Sequence, residues 1–266
     1  MKEEGKVKIL GICQKNSGSH YHRVYIPLLY LNNKEIEIDG KPHTIETYID
    51  YKDEKEFFFM GEDLKKYDVI LNNYMTYDHP CFLEDICKEH NVKRWLDVDD
   101  FPKLPENHIN TLVNGKEKME LTEQFLYKSI ACADFVTCST SPIMQSIAQI
   151  STLVGEVSNF LPLEGQFEIK EKVKRKGKIN IGFCGSISHY NDLETFKDVI
   201  KAISEDKEIR NKCRWVVAGH VKGDKYWSKI EKIFKSKRMN VKFIDACTPS
   251  DYMKLYDEID ILFNPL

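Results

Sequence analysis

The sequence lacks the features of a secreted, membrane-spanning or nucleic-acid-binding chain. No run approaches the roughly eighteen apolar residues of a membrane-spanning helix. The amino terminus is charged and then enters a short apolar segment, without the apolar core and small-residue cleavage site of a signal peptide. The net charge of −3 gives no electrostatic reason to expect nucleic acid as a partner. These absences predict a cytoplasmic chain with no membrane span and no nucleic-acid partner.

The eight cysteines also lack the spacing of a disulfide framework or a zinc site. No two of them form a CxxC pair. Cys13, Cys138 and Cys184 lie within or at the ends of apolar segments, where a thiol behaves as a small apolar side chain. We therefore expect free thiols in a reducing compartment and no metal site.

The sequence is organised around a strand, a glycine turn and a helix near its middle. Lys178–Cys184 is apolar and β-branched, as in a buried parallel strand. Gly185 and Ser186 break the strand, and Asn191 or Asp192 can cap the helix that follows. In α/β folds this layout favours a phosphate, because free backbone N–H groups at the helix start face the end of the strand. The alternative is a turn that binds no ligand.

The amino-terminal region repeats this layout. Lys6–Cys13 is a predicted strand, a polar glycine loop follows it, and His20–Leu31 is a predicted helix with Pro27 near its first turn. Two such starts, about 170 residues apart, predict two Rossmann-like domains in an α/β fold. Between them, residues 35–50 alternate around Asp39-Gly40, which indicates either a hairpin or a decorated crossover.

The charge distribution suggests where the domains divide. We expect an amino-terminal Rossmann-like domain over residues 1–160 and a densely charged linker over 161–177. A second Rossmann-like domain is expected over 178–266. Repeated β-α alternation predicts parallel sheets with helices on both faces. The second domain has only about four predicted strands, so we expect it to be incomplete.

Several short motifs, in their order and spacing, resemble the GT-B glycosyltransferases. The likeness is to the retaining, nucleotide-sugar-dependent "group 1" branch, and it runs through nearly the whole chain. The matching segments are Gly18–Pro27, Trp95–Asp100 (WLDVDD), Ala133–Thr140 (ADFVTCST), Val157–Asn159 (VSN), Ile181–Ser186 (IGFCGS) and Asp260–Leu266.

The resemblance implies a fold and a function. Two Rossmann-like domains would face each other across a cleft, the first on the acceptor side and the second binding a nucleoside-diphosphate sugar. The partners would be that sugar nucleotide, as co-substrate, and an acceptor such as a glycan, a lipid or a small molecule. No separate cofactor and no metal would be needed.

The sequence departs from this family in two places. Gly185–Leu193 contains neither the Arg nor the Lys that family members use to neutralise the leaving diphosphate. The acidic donor-sugar motif is also not found up to Leu266, so activity of this chain itself is in question.

The candidate phosphate ligands fall into two groups. Backbone amides could serve at Gly18, Ser19, Gly185 and Ser186, with a tight turn as the alternative at each. Side chains could serve at Arg23, His189 and His220. Arg23 could equally pair with a carboxylate of its own domain. His189 could instead cap a helix, and His220 could be solvated.

The candidate catalytic residues are Asp99 and Asp100, which end a predicted strand together with Asp97. Carboxylates this close repel one another, so at least one should be paired, hydrogen-bonded or protonated. A helix cap or a structural pair with Arg94 is the alternative for this cluster. The other candidate cleft and acceptor residues are His20, Asp97, Ser139, Thr140 and Asn159, for which capping and turn roles are the alternative.

Two other functions fit parts of the sequence. Asp97-Val98-Asp99 also spells the DxD by which GT-A enzymes hold a metal and a sugar nucleotide. A nucleotide- or sugar-binding module that has lost catalysis would explain the missing basic pair.

Overall fold

The structure is a computed structural model that describes residues 5–15, 17–52, 61–73, 82–101, 103–151, 153–162, 164–168, 177–235 and 238–265. Most of the predicted linker, 161–177, lies outside these residues. Contacts divide the chain into two units. The first is Met1–Leu104 with Glu117–Leu161, and the second is Pro105–Lys116 with Pro162–Leu266. The sequence placed 105–116 in the first domain, whereas its contacts place it in the second unit.

The first unit is built on a seven-stranded sheet, ordered β2-β3-β1-β4-β5-β6-β7. All neighbouring strands are parallel except β2 and β3. Most of the central strand β1 is buried, as its apolar sequence predicts. The strands are β1 (Lys6–Gln14), β2 (Glu35–Ile38), β3 (Lys41–Lys52), β4 (Val69–Asn73), β5 (Lys93–Val98), β6 (Phe135–Cys138) and β7 (Val154–Glu156).

Helices of the first unit bury apolar side chains against this sheet. Leu83 of α4 and Ile130 of α6, for example, are fully buried beside strand residues. The helices are α1 (Gly18–His20), α2 (Ile26–Leu31), α3 (Gly61–Leu64), α4 (Phe82–Glu89), α6 (Lys116–Cys132) and α7 (Ser141–Ile147). The numbering follows the chain, and α5 belongs to the second unit.

The predicted hairpin is confirmed at the edge of the first sheet. β2 pairs antiparallel with β3, and Ile38 lies opposite Lys41. Asp39 and Gly40 between them both have positive φ, 51° and 75°. Two left-handed residues in succession are what a type I′ turn needs, and Asp-Gly suits both positions.

The first helix starts earlier than the sequence predicts and is not regular. Helical structure runs from Gly18, and Tyr21–Tyr25 is a π-helical turn in which Ile26 N–H donates to the Tyr21 carbonyl. Pro27 therefore lies inside a longer helical run and not near its first turn. Because proline has no N–H and crowds the preceding turn, a widened turn beside it is physically reasonable.

The second unit has a four-stranded parallel sheet, ordered β10-β9-β8-β11. Trp215 on β9 and Trp227 on α11 are fully buried in its core. The strands are β8 (Ile179–Cys184), β9 (Cys213–His220), β10 (Val241–Asp245) and β11 (Ile261–Leu262). The helices are α5 (Ile109–Asn114), α8 (Tyr190–Thr195), α9 (Lys197–Glu205), α10 (Lys207–Lys212), α11 (Trp227–Phe234) and α12 (Met253–Asp257).

The helix after the glycine turn begins before its predicted cap. A 3₁₀ turn over Ile187–His189 leads directly into α8 at Tyr190, so Asn191 and Asp192 lie in its first turn. The Asn191 side chain donates a 2.8 Å hydrogen bond to the Asn107 carbonyl, which helps to hold the 105–116 segment on this unit. In the parts of the chain that the structure describes, none of the helices has the length and apolar content to cross a bilayer.

The packing of β8 yields a stability prediction. A Cβ atom at Gly182 would lie 2.3 Å from Cγ1 of buried Ile259. Gly182→Ala should therefore lower the free energy of unfolding by about 1–3 kcal/mol through overpacking. Gly18→Ala is the control, because a Cβ there meets nothing within 4 Å and should change stability by less than about 0.5 kcal/mol.

Urea unfolding measures both variants. Ile259→Ala makes room for the added methyl, so the double variant Gly182→Ala/Ile259→Ala should lose less stability than the sum of the two single changes. Strict additivity would contradict the predicted contact.

Candidate functional site

The carboxyl edge of the first sheet is held by a buried ion pair between Arg23 and Asp97. Arg23 Nε and one terminal nitrogen donate to the two Asp97 oxygens, at 2.9 and 2.6 Å. Both side chains are at most 5% exposed. Arg23 comes from the π-helical turn and Asp97 from β5, so the pair fixes the helix against the sheet. Of the two roles considered for Arg23, the structure shows pairing with a carboxylate of its own unit.

Neutral donors complete the hydrogen bonding of Asp97. Thr137 Oγ1 donates to one carboxylate oxygen at 2.7 Å, and Asn73 Nδ2 donates to the other at 2.9 Å. Trp95 Nε1 in turn donates to Thr137 at 2.9 Å. Each Asp97 oxygen thus accepts two hydrogen bonds, which compensates the cost of burying the charge. Asp97 is therefore an anchor of this edge, with no exposed oxygen for a substrate.

Arg23 also reaches the end of the sheet. Its second terminal nitrogen donates to the Val157 carbonyl at 2.6 Å and to Asn159 Oδ1 at 3.1 Å. Burial acts to lower the pKa of the guanidinium, but the hydrogen bond and charge of Asp97, with a smaller effect of Asp99, raise it above its usual value. Arg23 thus stays charged, and it brings the exposed residue Asn159 to the same edge as Asp97.

Asp99 and Asp100 follow β5 and differ in their surroundings. Asp99 is half-buried, with one carboxylate oxygen 3.0 Å from Asn73 Nδ2, and its carbonyl accepts a 2.9 Å bond from Ser139 Oγ. Asp100 is exposed. The amide of Asn73 thus bridges Asp97 and Asp99. Sequence reasoning missed Asn73, although its position at the end of β4, beside the acidic cluster of β5, is a usable signal.

The glycine loop of the first unit is fixed from within. Ser17 Oγ accepts from the His20 N–H at 3.3 Å, and His20 Nδ1 accepts from the Gln14 N–H at 2.6 Å. His20 is 2% exposed, so it closes the end of β1 and does not present its ring to solvent. Gly18 is exposed and Ser19 half-buried. Since a Cβ at Gly18 would meet open space, packing in this unit does not require glycine there.

The glycine turn of the second unit is much tighter. Gly219, at the end of β9, has φ of +95°, and a Cβ there would lie 2.1 Å from the Gly185 carbonyl oxygen. A Cβ at Gly185 would lie 2.8 Å from Phe183 and 2.9 Å from His189. Both positions therefore need glycine, because backbone and rings fill the space of a side chain. The Gly185 N–H donates to the Ala218 carbonyl at 3.2 Å, so this amide is already engaged at the sheet edge.

Two further predicted residues lie at this turn. Ser186 Oγ accepts from the Ser188 N–H at 3.2 Å and caps the 3₁₀ turn. His189 lies with Nδ1 3.1 Å from Asp192 Oδ2 and about a third of its side chain is exposed, 37%. Its ring contacts Phe183 edge-on. Ser186 and His189 therefore share one edge with Gly185.

His220 does not have the solvated surroundings that were one expectation for it. Its Nε2 lies 2.8 Å from Glu231 and its Nδ1 lies 3.3 Å from Asp245. The ring also packs on Trp227 and Phe243 and is 8% exposed. These contacts join β9, β10 and α11, so both ring nitrogens are engaged within the unit and the donor-ligand role predicted for His220 has no support in its contacts.

The structure thus brings together one group of predicted residues in each unit. Arg23, Asp97, Asp99, Ser139 and Asn159 gather at the first sheet. Gly185, Ser186 and His189 gather at the second. Thr140 is exposed at the start of α7 and its side chain makes no capping bond.

Comparisons with known proteins bear on the fold. No protein-family model and no curated protein matches the sequence. A solved UDP-GlcNAc 2-epimerase from Neisseria meningitidis, bound to UDP-GlcNAc, is similar with a TM-score of 0.56 and 11% identity, over 96% of this chain and 77% of that one. The S. aureus MnaA structure with UDP has a TM-score of 0.56 and 13% identity, over 96% of this chain and 73% of that one. Anabaena HepE with UDP and glucose has a TM-score of 0.55 and 10% identity, over 96% of this chain and 73% of that one.

The fold is of the GT-B type. At these identities the likeness concerns architecture alone, which agrees with the fold class that the sequence predicts. Among the described residues of this GT-B fold, no group of three or more His, Cys, Asp or Glu side chains is arranged to hold a metal ion.

The ion pair gives a prediction for stability. Asp97→Asn leaves the buried Arg23 guanidinium without its counter-charge and should lower the free energy of unfolding by about 3–5 kcal/mol. The exposed pair Lys93–Asp134 provides the control, because Lys93 is 69% exposed. Lys93→Ala should cost less than about 1 kcal/mol. Denaturant melts of the two variants test this, and a similar small loss in both would show that the pair does not anchor the sheet edge.

The glycine turn gives a second prediction. Gly219→Ala adds a methyl against the backbone of Gly185 at a left-handed φ, so the turn must move. Gly223→Ala is matched, because φ is also positive, +83°, but a Cβ there meets nothing within 4 Å. Gly223→Ala should cost about 1 kcal/mol, and Gly219→Ala should cost more by about 1–3 kcal/mol. Thermal melts that rank the two variants equally would refute the close approach at Gly219.

Proposed function

We propose that this chain is a sugar-nucleotide enzyme that moves a sugar from a nucleoside diphosphate to an acceptor hydroxyl. The observation that carries the proposal is the tight turn in which Gly219 packs on the Gly185 carbonyl, at the carboxyl edge of the second sheet. Ligands of open parallel sheets bind at this edge. The main-chain N–H groups of Ser186 and Ile187, which begin the 3₁₀ turn at this edge, suit the oxygens of a diphosphate.

The solved structures of similar fold support the same ligand class. The epimerase from Neisseria was solved with UDP-GlcNAc, the S. aureus protein with UDP, and HepE with UDP and glucose. A further similar structure, from E. coli and with a TM-score of 0.51, is bound to UDP-2-fluoro glucose. A uridine nucleotide is therefore the first ligand to test.

The transfer requires three events. The acceptor oxygen forms a bond to the anomeric carbon, the bond from that carbon to the diphosphate oxygen breaks, and its electron pair leaves with the diphosphate. A base takes the acceptor proton. We assign this role to Asp99, because it is half-buried and Asn73 holds one of its oxygens. Exposed Asp100 is the second candidate. The main-chain amides of Ser186 and Ile187, with His189, would stabilise the leaving diphosphate.

The contacts of Asp97 argue against the metal-dependent DxD alternative. Both Asp97 oxygens already accept hydrogen bonds from Arg23, Thr137 or Asn73. A cation at this carboxylate would have to displace a buried ion pair, and guanidinium and metal would then repel each other. Asp97-Val98-Asp99 is therefore better explained as one anchoring and one candidate catalytic carboxylate.

An epimerase of sugar nucleotides is the second candidate function, since two of the similar solved structures carry that name. The two reactions differ in their need for an acceptor. An epimerase alters the sugar nucleotide without one, whereas a transferase releases nucleoside diphosphate only when an acceptor is present. A binding module without catalysis would do neither and would still bind the nucleotide.

The test follows the fate of UDP-sugars by NMR, with and without a panel of glycan and small-molecule acceptors. We expect acceptor-dependent release of UDP. Asp99→Asn, which keeps an oxygen for Asn73, should lower turnover about 10²- to 10⁴-fold while UDP binding changes less than about threefold.

The control variant is Asp85→Asn, an exposed carboxylate on α4, which should leave turnover within about twofold. If both variants lost turnover equally, Asp99 would not be a catalytic residue. The same conclusion would follow if Asp99→Asn lost UDP binding and turnover together. Conversion of the sugar without an acceptor would establish the epimerase.

A further inference from the structure

A cation-lined groove lies on the helical face of the second unit. It has a volume of about 730 Å³ and its walls are formed by α8 and α9 on one side and α11 on the other. Its five cationic side chains are Lys197, Lys201, Lys229, Lys232 and Arg238. The groove shares no lining residue with the turn at Gly185 and Gly219, so the proposed sugar-nucleotide site does not account for it.

The lysines form two facing rows. Lys197 and Lys201 are four residues apart on α9, and Lys229 and Lys232 are three apart on α11. Residues at these spacings lie on one face of a helix, about one turn or 5.4 Å apart. Each helix is fixed to the core by a buried residue next to a groove lysine, Ile200 on α9 and Ile230 on α11. The positions of the two rows are therefore set by the packing of the unit.

The groove keeps an excess of positive charge although the whole chain has a net charge of −3. Its carboxylates are Glu194, Asp198 and Glu205. Glu194 forms an ion pair with Lys197, in which Oε1 and Nζ lie 2.5 Å apart. Lys201 and Lys232, one from each wall, have no carboxylate within ion-pair distance among the described residues. Their charges remain available to an anion that enters the groove.

The third lysine of the groove is held by aromatic rings. Lys229 Nζ lies 5.4 Å from the Tyr190 ring centre and 5.3 Å from the Tyr226 ring centre. A cation over two rings is restrained without being neutralised, because the rings carry no net charge. Lys229 is thus pre-positioned within the α11 row, which lowers the entropy cost of binding a ligand there.

We propose that this groove binds a small soluble oligophosphate, a molecule with two or more phosphate groups. Several cations spaced by about one helical turn match a ligand with several charges better than a single carboxylate. The concave shape between two helices suits a compact molecule. A flat bilayer of anionic lipids would meet only the rims of such a groove.

Calorimetric titration with sodium tripolyphosphate, at low ionic strength, tests the proposal. The wild-type chain should show saturable binding that weakens as salt is raised. Lys201→Glu/Lys232→Glu should weaken it at least about tenfold. The control Lys41→Glu/Lys207→Glu makes the same change of net charge at two exposed sites outside the groove and should weaken it less than about twofold. Should the first variant fail to fold, Lys201→Gln/Lys232→Gln replaces it. Its loss of affinity should be smaller than tenfold but still exceed that of the control.

Each other outcome overturns the proposal. Equal weakening in both double variants would show an effect of net charge alone. Binding that persists in Lys201→Glu/Lys232→Glu would place the ligand elsewhere, and no saturation below about 5 mM would mean no site. The chain could also fail to bind tripolyphosphate and yet sediment with phosphatidylcholine vesicles that contain a phosphorylated inositol lipid. That result would assign the groove to a membrane surface. Because UDP binding is measured separately, the proposed enzymatic function can fail while this site stands.

Discussion

The buried ion pair between Arg23 and Asp97 is the interaction on which the first unit depends. Two opposite charges out of water stabilise a protein only when both are fully hydrogen-bonded, and here each Asp97 oxygen has a second donor. Through Thr137, Asn73 and Asn159 the pair ties β6, β4 and the segment after β7 to the π-helical turn. The geometry around Asp99 follows from this anchor, because the same Asn73 amide holds both carboxylates.

In the second unit, close packing around two glycines and the contacts of His220 hold the turn at the end of the sheet. A Cβ at Gly219 would collide with the Gly185 carbonyl, and one at Gly185 would collide with Phe183 and His189. His220, next to Gly219, is engaged by Glu231 and Asp245. The turn is therefore held by close packing together with the contacts of His220 to two carboxylates. Gly185–Leu193 contains neither the Arg nor the Lys typical of the glycosyltransferases that the sequence resembles, so a diphosphate bound here would depend on the amides of Ser186 and Ile187 and on His189.

Local patterns in the sequence predicted much of the fold. The features that they did not predict depend on contacts between residues far apart in the sequence. The Asp39-Gly40 turn and the α/β class follow from residue types that act on their neighbours. Asp97, the partner of Arg23, is 74 positions away in the sequence. The charge of Arg23 alone therefore could not decide between binding a ligand and pairing with a carboxylate. Asn73 was missed because one amide at a strand end has no motif around it. The π-helical turn beside Pro27 and the contacts of 105–116 also depend on tertiary packing.

The central claim is that the turn of the second unit binds a nucleoside diphosphate. The most direct measurement is a titration of the ¹⁵N-labelled chain with uridine diphosphate, followed by amide NMR. We expect saturable shifts at the amides of Ser186 and Ile187 and at neighbouring Gly185, with a dissociation constant of about 0.1–1 mM, and their loss in Gly185→Val. Shifts that do not saturate by several times that concentration, or that map to other residues and persist in Gly185→Val, would contradict it.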